Sequence, residues 1–97
     1  MPFAISMGSN FSWDAILSNA PNRSGVYGLF GSTGWIYVGE SNDIQGRLLH
    51  HINETDTSIK RHGPTGFVFE LSPEDQRVNR QKDLIRELDP PCNKTLG

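Results

Sequence analysis

The chain reads as an α+β domain with a small three-stranded antiparallel sheet flanked by helices. Three observations predict it. Two short β-rich runs, "GVYGLFG" and "WIYVGE", are separated only by "STG", and a third, "FVFEL", lies further on. Three other segments repeat their apolar residues with a helical period. The resulting order is helix, strand, strand, helix, strand, helix, with no internal repeat or low-complexity stretch.

The first helix is expected over "FSWDAILSNAP". Ser12 is a good N-cap, Asp14 suits the first turn, and Pro21 closes the segment. Trp13, Ile16, Leu17 and Ala20 fall at i, i+3, i+4 and i+7, which predicts one inward stripe. The hairpin follows, with a glycine-containing turn. Period-two alternation sets Tyr27 and Leu29 opposite Val26 and Phe30, and Trp35 and Tyr37 opposite Ile36 and Val38. An odd-length loop brings Tyr27 and Tyr37 to one face, with their hydroxyls in one space. Gly39 ends the second strand and permits a turn or a close approach.

"SNDIQGRLLHHINE" predicts a second helix capped by Ser41 or Asn42, with Asp43 at the positive end of its dipole. Ile44, Leu48 and Ile52 form its core stripe, and Arg47 and His51 share a neighbouring face. Gly46 inside it costs roughly 1 kcal/mol against alanine, which points to tight packing there. After the third strand, "SPEDQRVNRQKDLIRELDPP" predicts the last helix. Ser72 is its cap, Pro73 its first residue and Asp75 the acid of a capping box; Asp89, Pro90 and Pro91 stop it. Val78, Leu84, Ile85 and Leu88 make its apolar face, and Gln81 stands in the middle of that face. An amide buried among aliphatic side chains costs about 1–3 kcal/mol unless it finds partners. Gln81 therefore needs an explanation.

With 97 residues, 35% of them hydrophobic, the chain is expected to form a single domain over residues 1–97 with one modest core. No run of eighteen apolar residues occurs, and "MPFAISMGSN" lacks the basic lead and apolar segment of a signal peptide, so the expected compartment is cytoplasmic. Cys92 is the only cysteine, which excludes an internal disulfide and a zinc site of clustered thiolates. The net charge of −2 argues against indiscriminate nucleic-acid binding. Eight of the nine basic residues nevertheless fall between Arg47 and Lys94, which makes Lys60, Arg61, Arg80 and Lys82 the candidate nucleic-acid contacts.

Taken singly, the remaining polar residues have structural explanations: tyrosines are common in strands, helix arginines usually face solvent, and Asn93 suits a turn. Taken in order and spacing, they resemble the GIY-YIG nuclease family. "GVY" at Gly25–Tyr27 matches the family's first tripeptide and "YVG" at Tyr37–Gly39 its second. Arg47 follows eight residues after Gly39, His51 one helical turn later, and "DLIRELDPPCN" resembles the closing segment, ending in Asn93. The resemblance runs from about Ser24 to Asn93 and implies a β-β-α-β-α core. It also implies a metal-dependent endonuclease that hydrolyses nucleic-acid phosphodiesters, DNA more than RNA. Tyr27 would activate the attacking water, Tyr37 would assist in positioning, Arg47 would hold the phosphate, and His51 would be a further acid–base group. Gly39 and Asn93 would support the site, and one divalent cation, Mg²⁺ or alternatively Mn²⁺, would be bound through a glutamate of the last helix.

At that glutamate's position this chain has Gln81. The amide keeps the shape of the carboxylate and loses its charge, so metal binding and activity are expected to be impaired. Glu40, directly after "YVG", is the carboxylate best placed to compensate, whereas Asp83 points about 200° round the helix from Gln81. Three readings stay open at this point: a nuclease carrying an engineered glutamine, a natural catalytically silent module that binds nucleic acid, and a module of the same fold that binds protein. A homodimer would be one way to supply two cuts in a duplex.

Overall fold

The computed structural model describes residues 8–54 and 57–94. Four strands, β1 (Ser9–Asn10), β2 (Gly25–Gly31), β3 (Gly34–Ser41) and β4 (Gly66–Leu71), form one antiparallel sheet in the order β1-β4-β2-β3. The helices are α1 (Trp13–Asn19), α2 (Ile44–Asn53), α3 (Ser58–Arg61), α4 (Arg77–Leu88) and α5 (Pro91–Lys94). The three expected strands are the body of the sheet. The fourth, β1, is a two-residue edge paired to Phe67 and Gly66, too short to carry a period.

The sheet separates two apolar layers. On one face Ile16 and Ala20 of α1 and Ile44 and Leu48 of α2 pack against Tyr27, Leu29, Ile36 and Phe67. On the other, Leu84 of α4 packs against Val26, Val38 and Val68, with Phe30, Trp35, Ile85 and Leu88 around it. Strand alternation makes this split, and an irregularity in the hairpin shifts it at two residues. Leu29 pairs with Tyr37 and Phe30 with Trp35, which leaves Ile36 as an extra residue on β3. Tyr27 and Tyr37 do share a face, as expected. Trp35 does not join Tyr37, and Ile36 does not join Val38: the bulge exchanges their faces.

Helix starts follow the sequence in part. Ser12 caps α1 by accepting from the Ala15 N–H. The α2 cap is Asp43 rather than Ser41 or Asn42; its carboxylate accepts from the Gly46 N–H and lies so close that any side chain at 46 would meet it. Ser41 instead braces Asp43, its hydroxyl accepting from the Asp43 N–H at 2.9 Å. Ser72 does not cap α4. Its backbone prolongs the sheet edge, donating to the Ser24 carbonyl at 3.1 Å and accepting from the Ser24 hydroxyl at 2.7 Å. The helix accordingly begins four residues later, after a turn closed on the Pro73 carbonyl. At its far end Asp89 takes the left-handed conformation, φ 52°, and stops it.

The apolar stripes are narrower than their periodicity implies. Trp13 and Leu17 of α1 and Val78 of α4 are exposed, while Ile16 and Leu84 of the same helices are buried. We therefore expect Leu84→Ala, at a fully buried position, to lower unfolding free energy by about 2–5 kcal/mol. Val78→Ala should stay within about 0.5 kcal/mol of the parent. Urea titration of the two variants checks the pair.

Candidate active site

Tyr27 lies in the middle of β2 and is fully buried, yet its hydroxyl meets a polar group: the His51 Nε2 is 2.7 Å away. Two local features make this possible. Gly39 pairs opposite Tyr27 on β3, and a side chain there would collide with the tyrosine ring. Across the space, α2 is held by buried Ile44 and Leu48, and His51, one turn beyond Arg47, projects from it onto the ring. Tyr37 completes the group, its ring centroid 6.2 Å from that of Tyr27 and 5.4 Å from that of His51.

The electrostatics follow from burial. Desolvation raises the Tyr27 hydroxyl above its ordinary range and the neighbouring Tyr37 adds to this, while a hydrogen bond and the charge from Arg47 pull the other way. Tyr37 is raised for the same first reason, and Arg47 again opposes. Arg47 lies on the exposed side of α2, and its charge acts on both tyrosine hydroxyls. Burial pushes the His51 imidazole down to about 4; Glu54 opposes this and Arg47 adds to it. At neutral pH both tyrosines are phenols and His51 is a neutral imidazole.

Two other predicted residues, Asn93 and Gln81, converge on the backbone of one residue, Val38. β3 is the sheet edge, so the Val38 backbone groups point away from β2, and the Asn93 side chain takes both. Its Oδ1 accepts from the Val38 N–H at 2.8 Å and its Nδ2 donates to the Val38 carbonyl at 2.8 Å. Asn93 behaves as one residue of an added strand and fixes the segment that carries Tyr37 and Gly39. The half-buried Gln81 reaches the same carbonyl, its Nε2 donating at 3.5 Å, a weak bond to an acceptor already taken.

The basic residues are not brought together. Lys60 and Arg61 are exposed on α3, and Lys82 is exposed on α4. Arg80 spends its fork on Glu70, with Nε and Nη2 donating to the two carboxylate oxygens at 2.8 and 2.9 Å. Of the four, Lys60 stands nearest the chemistry, in a cleft of about 310 Å³ that also presents Trp13 and His51. A second cleft, about 230 Å³, is lined by Tyr37, Arg47, His51, Glu54, Ser58 and Cys92.

Two features escaped the sequence reading. Glu40, the expected substitute ligand, is bound to Arg77 of α4, whose Nε donates to its Oε1 at 2.6 Å. Glu54, three residues after His51, brings Oε1 to 3.0 Å from Nδ1; the only signal for it was that helical spacing. These placements bear on a metal. Among the described residues no three His, Cys, Asp or Glu side chains cluster as a cation site. The two carboxylates whose charge reaches Tyr37 are Glu54 and Glu40, which face His51 and Arg77. Gln81 alone offers a neutral oxygen, so the residues present do not fit a magnesium site of the carboxylate-anchored kind.

The buried imidazole has a measurable consequence. The unfolded chain protonates His51 near 6.5 and the folded chain near 4, so between these values the unfolded state binds more protons. The stability that His51 contributes is fully present above pH 6.5 and falls as the pH is lowered. We expect this group to account for a loss of about 2 kcal/mol between pH 7 and pH 4.5. Urea titrations at both pH values should show that loss in the parent and not in His51→Gln.

No family model matches the chain. Among curated proteins it is similar to UvrABC system protein C of Alcanivorax borkumensis, 28% identical over 94 residues and 91% of this chain. It is also similar to that of Pseudomonas protegens, 29% identical over 92 residues and 89% of this chain. The chain spans only 16% and 15% of the length of these relatives. Among solved structures it is similar to the GIY-YIG N-terminal endonuclease domain of UvrC from Thermotoga maritima bound to its catalytic cation, magnesium. That likeness has a TM-score of 0.68 and 24% identity over 79% of this chain and 89% of that one. The β-β-α-β-α core is thus shared with a solved nuclease domain. The chain has the fold of that GIY-YIG endonuclease domain.

Proposed function

We propose that this domain is a GIY-YIG endonuclease site for phosphodiester bonds of nucleic acid, DNA in preference to RNA, acting in the cytoplasm and disarmed at one position. The observation that carries the reading is the Tyr27 hydroxyl, held 2.7 Å from the His51 imidazole and within reach of the Arg47 guanidinium. A buried phenol between a neutral base and a fixed cation has a proton acceptor ready and a charge waiting for the phenolate. In this reading the phosphate docks on Arg47, whose planar fork suits its oxygens. Tyr27 then takes a proton from the attacking water as it passes its own to His51, and Tyr37 orients the water or the phosphate. Asn93 keeps β3 and Tyr37 in place through Val38. Lys60, beside the cleft next to His51, extends the contact to the backbone of the nucleic acid.

The solved relative carries a catalytic magnesium. Here the corresponding side chain is an amide that donates toward the Val38 carbonyl, and no step of the reaction is routed through a metal. A carboxylate at 81 could not make that hydrogen bond; it would set acceptor against acceptor, an arrangement that a divalent cation relieves. Gln81 thus accounts both for the polar residue in an apolar stripe and for a weakened metal site.

Cleavage of plasmid and branched DNA with Mg²⁺ or Mn²⁺ tests the reading. Gln81→Glu should cut, and the parent chain should be slower by about 10²-fold or more. Equal cutting by both would place the cation elsewhere, with Glu40 the first candidate. No cutting by either would favour a silent module that binds nucleic acid or protein.

A further inference from the structure

We infer that Glu54 is a positioning residue: it sets which ring nitrogen of His51 carries the proton, so that Nε2 is kept as the acceptor facing Tyr27. The inference deepens the nuclease reading and rests on it for the role of Tyr27.

The His51 ring is almost wholly buried and touches a partner at each nitrogen. Nε2 faces the Tyr27 hydroxyl at 2.7 Å and Nδ1 faces the Glu54 Oε1 at 3.0 Å. Among the described residues Nδ1 is the one buried side-chain N or O atom with no well-formed hydrogen bond. The carboxylate is at hydrogen-bond distance but stands off the N–H axis.

A neutral imidazole has one proton to place. On Nε2, it would leave the Nδ1 lone pair facing a carboxylate oxygen at 3.0 Å, a repulsion that low local dielectric magnifies. On Nδ1, both contacts are favourable: Nδ1–H toward Glu54 and Tyr27 O–H toward Nε2. The carboxylate thus selects the tautomer, as second partners of histidine do elsewhere.

Local structure explains how so short a range suffices. Glu54 is the residue that closes α2, its backbone N–H donating to the His50 and His51 carbonyls at 3.2 and 3.3 Å. Its side chain therefore starts one turn from the ring it serves. The exposed His50 is a weaker competitor, with its Nε2 3.8 Å from the same oxygen. During attack Tyr27 would give its proton to Nε2 and take one from water. The resulting imidazolium would keep Nδ1–H on the Glu54 carboxylate, which offsets the charge that burial disfavours. His51 then releases the proton to solvent, and the leaving oxygen takes one from solvent.

The test is long-range ¹H–¹⁵N NMR of the His51 ring in the whole chain at neutral pH. The native chain should show a protonated Nδ1 and an unprotonated Nε2. Glu54→Gln, whose side-chain oxygen still accepts, should keep that pattern. Glu54→Ala, confirmed folded by circular dichroism, should shift the ring toward the Nε2–H form or a mixture. A native ring protonated on Nε2, or an alanine variant that keeps the Nδ1–H form, would overturn the assignment. The native spectrum decides even if the alanine variant fails to fold. The readout is a tautomer and not a rate, so it stands or falls separately from nuclease activity.

Discussion

The contact between the Tyr27 hydroxyl and the His51 imidazole is the constraint around which the rest of this small domain is arranged. Burying a phenol oxygen in the core is unfavourable unless it is hydrogen-bonded, and a partner requires a polar side chain from another element at one spot. The packing of α2 on the sheet through Ile44 and Leu48 provides that spot. Gly39 leaves room for the tyrosine ring, and Asn93 clasps the outer edge of β3 at Val38, the residue before Gly39. Each of these residues makes sense as packing alone, but together they leave a proton acceptor and a cation lining one cleft, with the proton donor buried directly behind the acceptor.

Much of this was legible in the sequence where the signal was local or periodic. The helix caps at Ser12 and the αL stop at Asp89 are chemical signals with a short range, and the shared face of Tyr27 and Tyr37 follows from strand alternation. The errors have a common cause in contacts between segments far apart in the chain. Ser72 carries the signature of an N-cap, but pairing with Ser24 claims its backbone first. Trp35 changes face because Ile36 bulges out of the ladder, and no turn residue announces a bulge. Periodicity finds the stripe that contains Trp13, Leu17 and Val78, but not how much of it the sheet covers. The site shows the same division. The motif placed Tyr27, Arg47 and His51 together, while the clasp of Asn93 on Val38, the capture of Glu40 by Arg77 and the approach of Glu54 to His51 needed coordinates.

Gln81 joins the two halves of the account. A side chain of its polarity at the centre of an apolar helix face is hard to justify by stability. Its hydrogen bond to Val38 is long and shares an acceptor with Asn93, so it returns little of the desolvation it requires. The position makes sense as the wall of a site. The same reasoning applies to Arg77 and Glu40, an ion pair bridging α4 and β3 whose acidic member lends negative charge to both tyrosines.

The most direct test of this account requires no catalysis. Fluorescence anisotropy of a labelled branched DNA, in EDTA and at low salt, would compare the chain with Arg47→Ala. If the Tyr27–His51–Arg47 cluster is a phosphate site, loss of the guanidinium should weaken binding about tenfold or more, the effect of removing a charge-assisted hydrogen bond. Unchanged binding, or no binding by the parent chain at concentrations where nonspecific contacts appear, would contradict the claim that this cluster is built for nucleic acid.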